Sequence, residues 1–227
     1  MPVPPWLPDA AVTRPVFYLH GFASSARSTK AGYVGERLRE HGVPLHCPDF
    51  NEPDFATLTL TRMLDRIGAE LARLDGEPAT LIGSSLGGTL AILAASRFAN
   101  SVDRLVLLAP AVMFAKRGHH LLSPERIDEW RQRGALPFFH YGEQTERQLD
   151  YTFYEDSLQH DAFDASFDQP TLIFQGLHDA SVDYGTVETF ARNRANVTLS
   201  LLDDDHQLIA SLPVIWNGIA RFIGLAS

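Results

Sequence analysis

Leu81-Ile82-Gly83-Ser84-Ser85-Leu86-Gly87-Gly88 is the stretch on which the reading of this chain turns. It has the form G-x-S-x-G, and its flanks matter more than the pattern itself. Upstream, Ala79–Ser84 is a short apolar run suited to a buried strand; downstream, residues 89–95 (Thr-Leu-Ala-Ile-Leu-Ala-Ala) favour a helix. A serine at that joint must turn sharply in a strained backbone conformation, which lifts its hydroxyl clear of the sheet. Gly83 and Gly87 flank it because a side chain two residues to either side would collide with the neighbouring helix or strand. The helix after the joint aims its N-terminus at the same point, and the Leu86 backbone N–H can donate to an oxyanion there. Ser85 is therefore the candidate nucleophile. Ser84 lies off the elbow and reads as a packing or turn residue.

Outward from this joint, apolar segments alternate with amphipathic ones, the pattern of a mostly parallel sheet flanked by helices in an α/β protein. Strands are expected at Pro15–His20, Val43–Pro48, Ala79–Ser84, Arg104–Ala109, Pro170–Gln175 and Val197–Leu202. Runs such as Leu105-Val-Leu-Leu-Ala109 are apolar throughout, as strands buried on both faces require. Helices are expected over Lys30–Glu40, Phe55–Leu74, Ser85–Phe98, Gly185–Asn193 and Gln207–Ile223. Residues 113–167 interrupt the alternation. They show no convincing strand, carry helical cues at Ser123-Pro124 and through Glu143–Leu158, and read as a helical cap inserted over the strand ends. The expectation is one domain, residues 1–227, with this insertion inside it.

The bulk properties narrow the class. The 227 residues carry a formal net charge of −9, which argues against nucleic acid or an anionic membrane as the main partner. Cys47 is the single cysteine, so no disulfide can form within the chain, as suits a reducing compartment. The first residues, Met1-Pro-Val-Pro-Pro-Trp-Leu-Pro8, lack a basic start and a continuous apolar core, and no run reaches the roughly 18 apolar residues of a membrane span. The expectation is a cytoplasmic protein without a membrane span. No G-x-G-x-x-G follows the first strand, and His119-His120 has no matching ligand spacing, so neither a dinucleotide nor a metal is implied.

A serine hydroxyl is a weak nucleophile at neutral pH and needs a base. Proteins with such an elbow carry nucleophile, acid and histidine in that chain order. His206, in Asp203-Asp-Asp-His206, follows the last expected strand and precedes the last helix. The acid is expected at Asp179, in Gly176-Leu-His-Asp179-Ala-Ser-Val182, where a carboxylate can orient the imidazole. Asp183 is its rival, placed where a helix should begin. Asp203, Asp204 and Asp205 stand too close to His206 to reach behind it, but they can raise its affinity for a proton. The second oxyanion donor is expected from Phe17-Tyr-Leu-His20-Gly21-Phe22, at the Phe22 N–H with Ala23 as the next choice. His20 reads as a loop-holding residue, and Arg27 and Lys30 as solvated positions or substrate contacts.

Tyr18-Leu-His-Gly-Phe22 with Ser24-Ser25, Arg27-Ser28 and Lys30-Ala31, joined to Gly83-Ser-Ser-Leu-Gly-Gly88, resembles the small bacterial YqiA-like predicted esterases of the α/β-hydrolase superfamily. The superfamily resemblance spans nearly the whole chain; the closer one is strongest over about the first hundred residues. It implies a cofactor-free hydrolase of carboxylic esters with small or short-chain acyl groups. Two features depart from it: residues 113–167 are longer than that compact family would have, and Val182-Asp183-Tyr184 leaves the acid's register open. The alternatives are a thioesterase or C–C bond hydrolase with the same residues, or a non-catalytic binding protein on the same fold.

Overall fold

The computed structural model describes residues 14–114, 116 and 122–225. The N-terminal stretch read for a targeting signal, and the pair His119-His120, lie outside the described residues. The chain runs β1 (Val16–Leu19), α1 (Thr29–Glu40), β2 (Leu45–His46), α2 (Leu60–Ala72), β3 (Ala79–Ser84), α3 (Leu86–Arg97) and β4 (Val102–Leu108). An insertion comes next: α4 (Pro124–Arg133), β5 (Ala135–His140), β6 (Thr145–Asp150) and α5 (Thr152–Ser157). The chain then returns through β7 (Thr171–Gly176), α6 (Tyr184–Arg192), β8 (Val197–Leu202) and α7 (Leu212–Phe222).

Six strands form one sheet in the order β2-β1-β3-β4-β7-β8, parallel throughout. Alternate residues of each central strand feed two cores, because successive side chains point to opposite faces. Phe17, Leu19, Leu81, Leu105 and Leu107 join one core with residues of α2, α3 and α6. Val16, Tyr18, Ile82, Val106 and Leu108 join the other, with Val34 and Leu38 of α1 and Ile215 and Ile219 of α7. Burial on both faces explains why β3 and β4 read as unbroken apolar runs. Each such Leu, Ile or Phe contributes about 1.5–3 kcal/mol relative to exposure.

Local chemistry sets where the helices begin. The Ser28 hydroxyl accepts from Ala31 N–H at 3.4 Å to open α1, and Thr59 accepts from Arg62 N–H at 3.1 Å to open α2. Phe55 and Leu58 are buried yet precede α2, so apolar spacing overstated its start. Similarly α7 opens at Leu212 rather than Gln207, because Leu208 sits at φ +55° and interrupts any earlier helix. No helix among the described residues is long and apolar enough to cross a membrane.

The insertion corrects the expectation of a purely helical cap. Ser123 caps α4 as expected, accepting from Arg126 N–H at 3.3 Å, and Gly134 ends it at φ +76°. Beyond Gly134 the chain forms an antiparallel hairpin, pairing Ala135 with Asp150 through His140 with Thr145. Strand β6, Thr-Glu-Arg-Gln-Leu-Asp, has one apolar residue, Leu149, so it carries no alternation to read. It is a strand because β5 templates it and because Trp130 of α4 donates its indole N–H to Leu149 O at 2.7 Å. Only Thr152–Ser157 of the expected second helical stretch is helical. The insertion rests on the loops beyond β1 and β2, through Tyr141 N–H to Ala23 O (2.7 Å) and Asp150 N–H to Ala56 O (2.8 Å).

Candidate active site

The turn between β3 and α3 holds Ser85 at φ +53°, ψ −116°, a conformation L-residues rarely adopt. Close packing requires the flanking glycines: a Cβ on Gly83 would lie 2.3 Å from Gly87 O, and one on Gly87 would lie 1.9 Å from Leu19 O. The turn is tied down from β4, since Ser85 N–H donates to Leu108 O at 3.0 Å and Ala111 N–H to Ser85 O at 3.1 Å. Surrounding packing thus over-determines a strained residue, the condition under which such strain persists.

Two loops from distant sequence meet Ser85. The loop after β8 carries His206, whose Nε2 lies 3.1 Å from Ser85 Oγ. The loop after β7 carries Asp179, whose Oδ2 lies 2.8 Å from His206 Nδ1. A carboxylate only accepts, so Nδ1 holds the ring proton and Nε2 is left to accept from the serine hydroxyl. The two loops are fastened by Leu177 N–H to Leu202 O (2.9 Å) and His178 N–H to Asp204 O (3.0 Å).

The Asp179 side chain is fully enclosed. Burial alone would push its carboxyl up. The bond from His206 and the N–H groups of Val182 and Ser181, each at 2.8 Å from Oδ1, outweigh that and hold it below the ordinary carboxylate range. The structure does not bring Asp183 to the histidine. That carboxylate caps α6 instead, its Oδ2 accepting from Thr186 N–H at 2.8 Å and Thr186 Oγ1 at 2.9 Å.

The loop after β1 packs directly on the elbow: a Cβ on Gly21 would stand 3.3 Å from Ser85 Cβ. His20 shapes that loop. Its Nδ1 meets Gly21 O at 2.9 Å and so must donate, while Nε2 accepts from Phe50 N–H at 3.1 Å, and the ring braces the loop from both sides. Ala23 sits at φ +51° with its carbonyl held by Tyr141 of the hairpin. Phe22 is half-buried, its ring 5.4–6.5 Å from those of Phe55, Phe114, Phe138 and Phe153, so aromatic rings form one wall beside the loop. Leu86 opens α3, where backbone N–H groups have no intrahelical partner.

Of two further residues near the site, Gln175 has no signal in the sequence, and Lys30 reads there as a solvated position or a substrate contact. Gln175, fully buried at the end of β7, donates its amide to Asp179 Oδ2 (2.9 Å) and Val182 O (3.1 Å). Lys30 is buried rather than solvated, whereas Arg27 is exposed. Lys30 Nζ approaches His206 O at 3.4 Å. Burial pulls its ammonium down to about 8, against the upward pull of Asp179, Asp205 and Asp204. Among the described residues no group of three or more His, Cys, Asp or Glu could hold a metal ion.

A parallel sheet with a strained serine between β3 and α3, met by loops after β1, β7 and β8, defines the α/β-hydrolase class. Solved structures agree. A protein of Agrobacterium vitis S4 matches at TM-score 0.81 and 25% identity, covering 92% of this chain and 88% of its own. Est1E of Butyrivibrio proteoclasticus, with ferulic acid bound, matches at TM-score 0.79 and 24% identity, over 92% of this chain and 88% of that one. Mouse alpha/beta hydrolase domain-containing protein 10 matches at TM-score 0.79 and 22% identity, over 96% and 92%. No curated protein matches the chain. Within that class the chain belongs to the uncharacterised protein family UPF0227, whose model matches residues 15–222.

Proposed function

We propose that this chain is a serine hydrolase cleaving carboxylic esters of small or short-chain acyl groups through an acyl-enzyme. The observation that carries the reading is the contact series Ser85 Oγ, His206 Nε2, His206 Nδ1, Asp179 Oδ2, at 3.1 Å and 2.8 Å. His206 takes the Ser85 proton as Oγ bonds to the ester carbonyl carbon, and the carbonyl oxygen becomes negative. The backbone N–H groups of Leu86 and Phe22 receive that charge. The carbon–oxygen bond to the alcohol then breaks, and the alcohol leaves with the proton from His206. A water, deprotonated by His206, attacks the acyl-enzyme; the acid departs and Ser85 regains its proton. Asp179 holds the ring tautomer and stabilises the imidazolium in both halves. The aromatic wall beside Phe22 supports an apolar acyl group.

Ser85→Ala is expected to lose on the order of 10⁴–10⁶ in kcat on p-nitrophenyl acetate and butyrate, as removal of other triad serines does. Wild-type turnover in that variant would overturn the reading. A series of esters and thioesters of graded acyl length, run on both proteins, separates an esterase from a thioesterase. Labelling of Ser85 by a fluorophosphonate probe separates both from a binding protein.

A further inference from the structure

Lys30 stands where two ordinary effects disfavour a cation. It is the second residue of α1, where the helix dipole opposes positive charge, and it is only 7% exposed, so its ammonium gives up most of its water. The choice of residue is also distinctive: 17 of the 19 basic residues are arginine, and the other lysine is Lys116. From α1 the side chain reaches across to the loop of His206, 176 positions away, with Nζ 3.4 Å from the His206 carbonyl. That bond is long, so charge matters more than the hydrogen bond. The carboxylates that act on its charge are Asp179, from the loop after β7, and Asp205 and Asp204, from the loop after β8. Asp203 is engaged elsewhere, 2.7 Å from His178 Nε2.

His206 must be neutral to accept a proton and cationic once it has done so. The Asp179 carboxylate, 2.8 Å from Nδ1, favours the cation, and the buried Lys30 ammonium, held at the backbone of the same loop, disfavours it. We propose that Lys30 is a positioning residue, offsetting Asp179 and holding the His206 loop, so that His206 serves as a base near neutrality. A compact point charge on a flexible stem fits this enclosed place better than a planar guanidinium. The placement costs stability, and the proposed role accounts for a costly residue being there. The inference rests on the hydrolase reading of Ser85.

The test is the pH profile of kcat/KM on p-nitrophenyl butyrate for the wild type, Lys30→Met, Lys30→Gln, Lys30→Arg and Ser85→Ala, with melting temperatures for each. Lys30→Met and Lys30→Gln are expected to move the acidic limb up by about one pH unit, lowering kcat/KM about ten-fold on the acid side of the limb with KM unchanged. Their melting temperatures should equal or exceed that of the wild type. Lys30→Arg keeps the charge and should keep the limb. Unmoved limbs in Met and Gln, beside an inactive Ser85→Ala, overturn the role of Lys30 alone. So does loss of activity and melting temperature in Met with a normal Gln profile, which would make Lys30 a structural tie. If Lys30→Met fails to fold, Gln and Arg decide between them. An active Ser85→Ala overturns both readings together.

Discussion

Asp179 and Asp183 are chemically identical and four residues apart, yet their surroundings divide them. Asp179 is enclosed, takes three N–H donors from its own loop and Gln175, and meets the imidazole. Asp183 is exposed and spends its carboxylate on the first turn of α6, where the N–H of Thr186 holds its pKa low. Asp179→Asn should therefore drop turnover on the order of 10⁴, by presenting the ring with an amide that favours the wrong tautomer. Asp183→Ala should leave turnover intact and cost about 1 kcal/mol of stability, the value of an N-cap. Steady-state kinetics and a thermal melt on the two variants separate these outcomes, and an inactive Asp183→Ala would reverse the assignment. Spacing in the sequence favoured Asp179 because it falls just past the strand, and its carboxylate is the one that lies against the imidazole. Lys30 and Gln175 were not legible that way. A lysine at a helix start and a glutamine at a strand end are unremarkable until the fold carries them to a loop 176 positions away or onto a buried carboxylate.

At the scale of elements, the sheet was readable because burial on both faces leaves a continuous apolar run; β3 and β8 coincide with the expected segments residue for residue. The hairpin was not, since β6 owes its form to a partner strand and to one indole rather than to its own pattern. That dependence is testable. Trp130 is 3% exposed, packs 5.0 Å from Phe138, and supplies the hydrogen bond to Leu149 O. Trp130→Phe should cost about 1–3 kcal/mol, from a buried carbonyl left without its donor, and Trp130→Ala about 3–5 kcal/mol, from the cavity. Because the hairpin holds the Ala23 carbonyl through Tyr141, a loosened hairpin also loosens the strained loop beside Ser85. Urea unfolding gives the stability change. At 25 °C, where the variant is still folded, ester hydrolysis should fall in Trp130→Ala by at least ten-fold; unchanged hydrolysis would mean that the loop after β1 keeps its form unaided.

Across the whole molecule, the strand order places the site. The chain runs outward from β1 to β2, then returns to β3 on the other side, so β1 and β3 diverge at a switch point where ligands of open α/β sheets bind. The loops after β1, β3, β7 and β8 all open on that edge, which brings residues 21, 85, 179 and 206 together. Gathering acids there makes stability depend on pH at both ends. At the acid end, Asp179, Asp183 and Asp204 are held below their unfolded values. Their stabilisation is complete above about pH 4 and is lost as pH falls through the folded values, because the unfolded chain takes up protons first. At the alkaline end the sign reverses for Lys30. Its ammonium is lowered from 10.5 to about 8, so between these values the unfolded chain binds a proton that the native chain does not. Stability from Lys30 therefore rises with pH across that window, relieving a burial cost on the order of 3 kcal/mol. Cys47 and Tyr18 act oppositely, since burial raises both, Tyr18 to about 12, and each loses stability above its unfolded value near 9 and 10. The difference between wild type and Lys30→Met cancels those two groups. Urea unfolding at pH 7 and pH 9.5 should find Lys30→Met the more stable protein at pH 7, with the gap narrowed by about 2 kcal/mol at pH 9.5. A gap equal at both pH values would mean that the Lys30 ammonium keeps its proton in the folded chain.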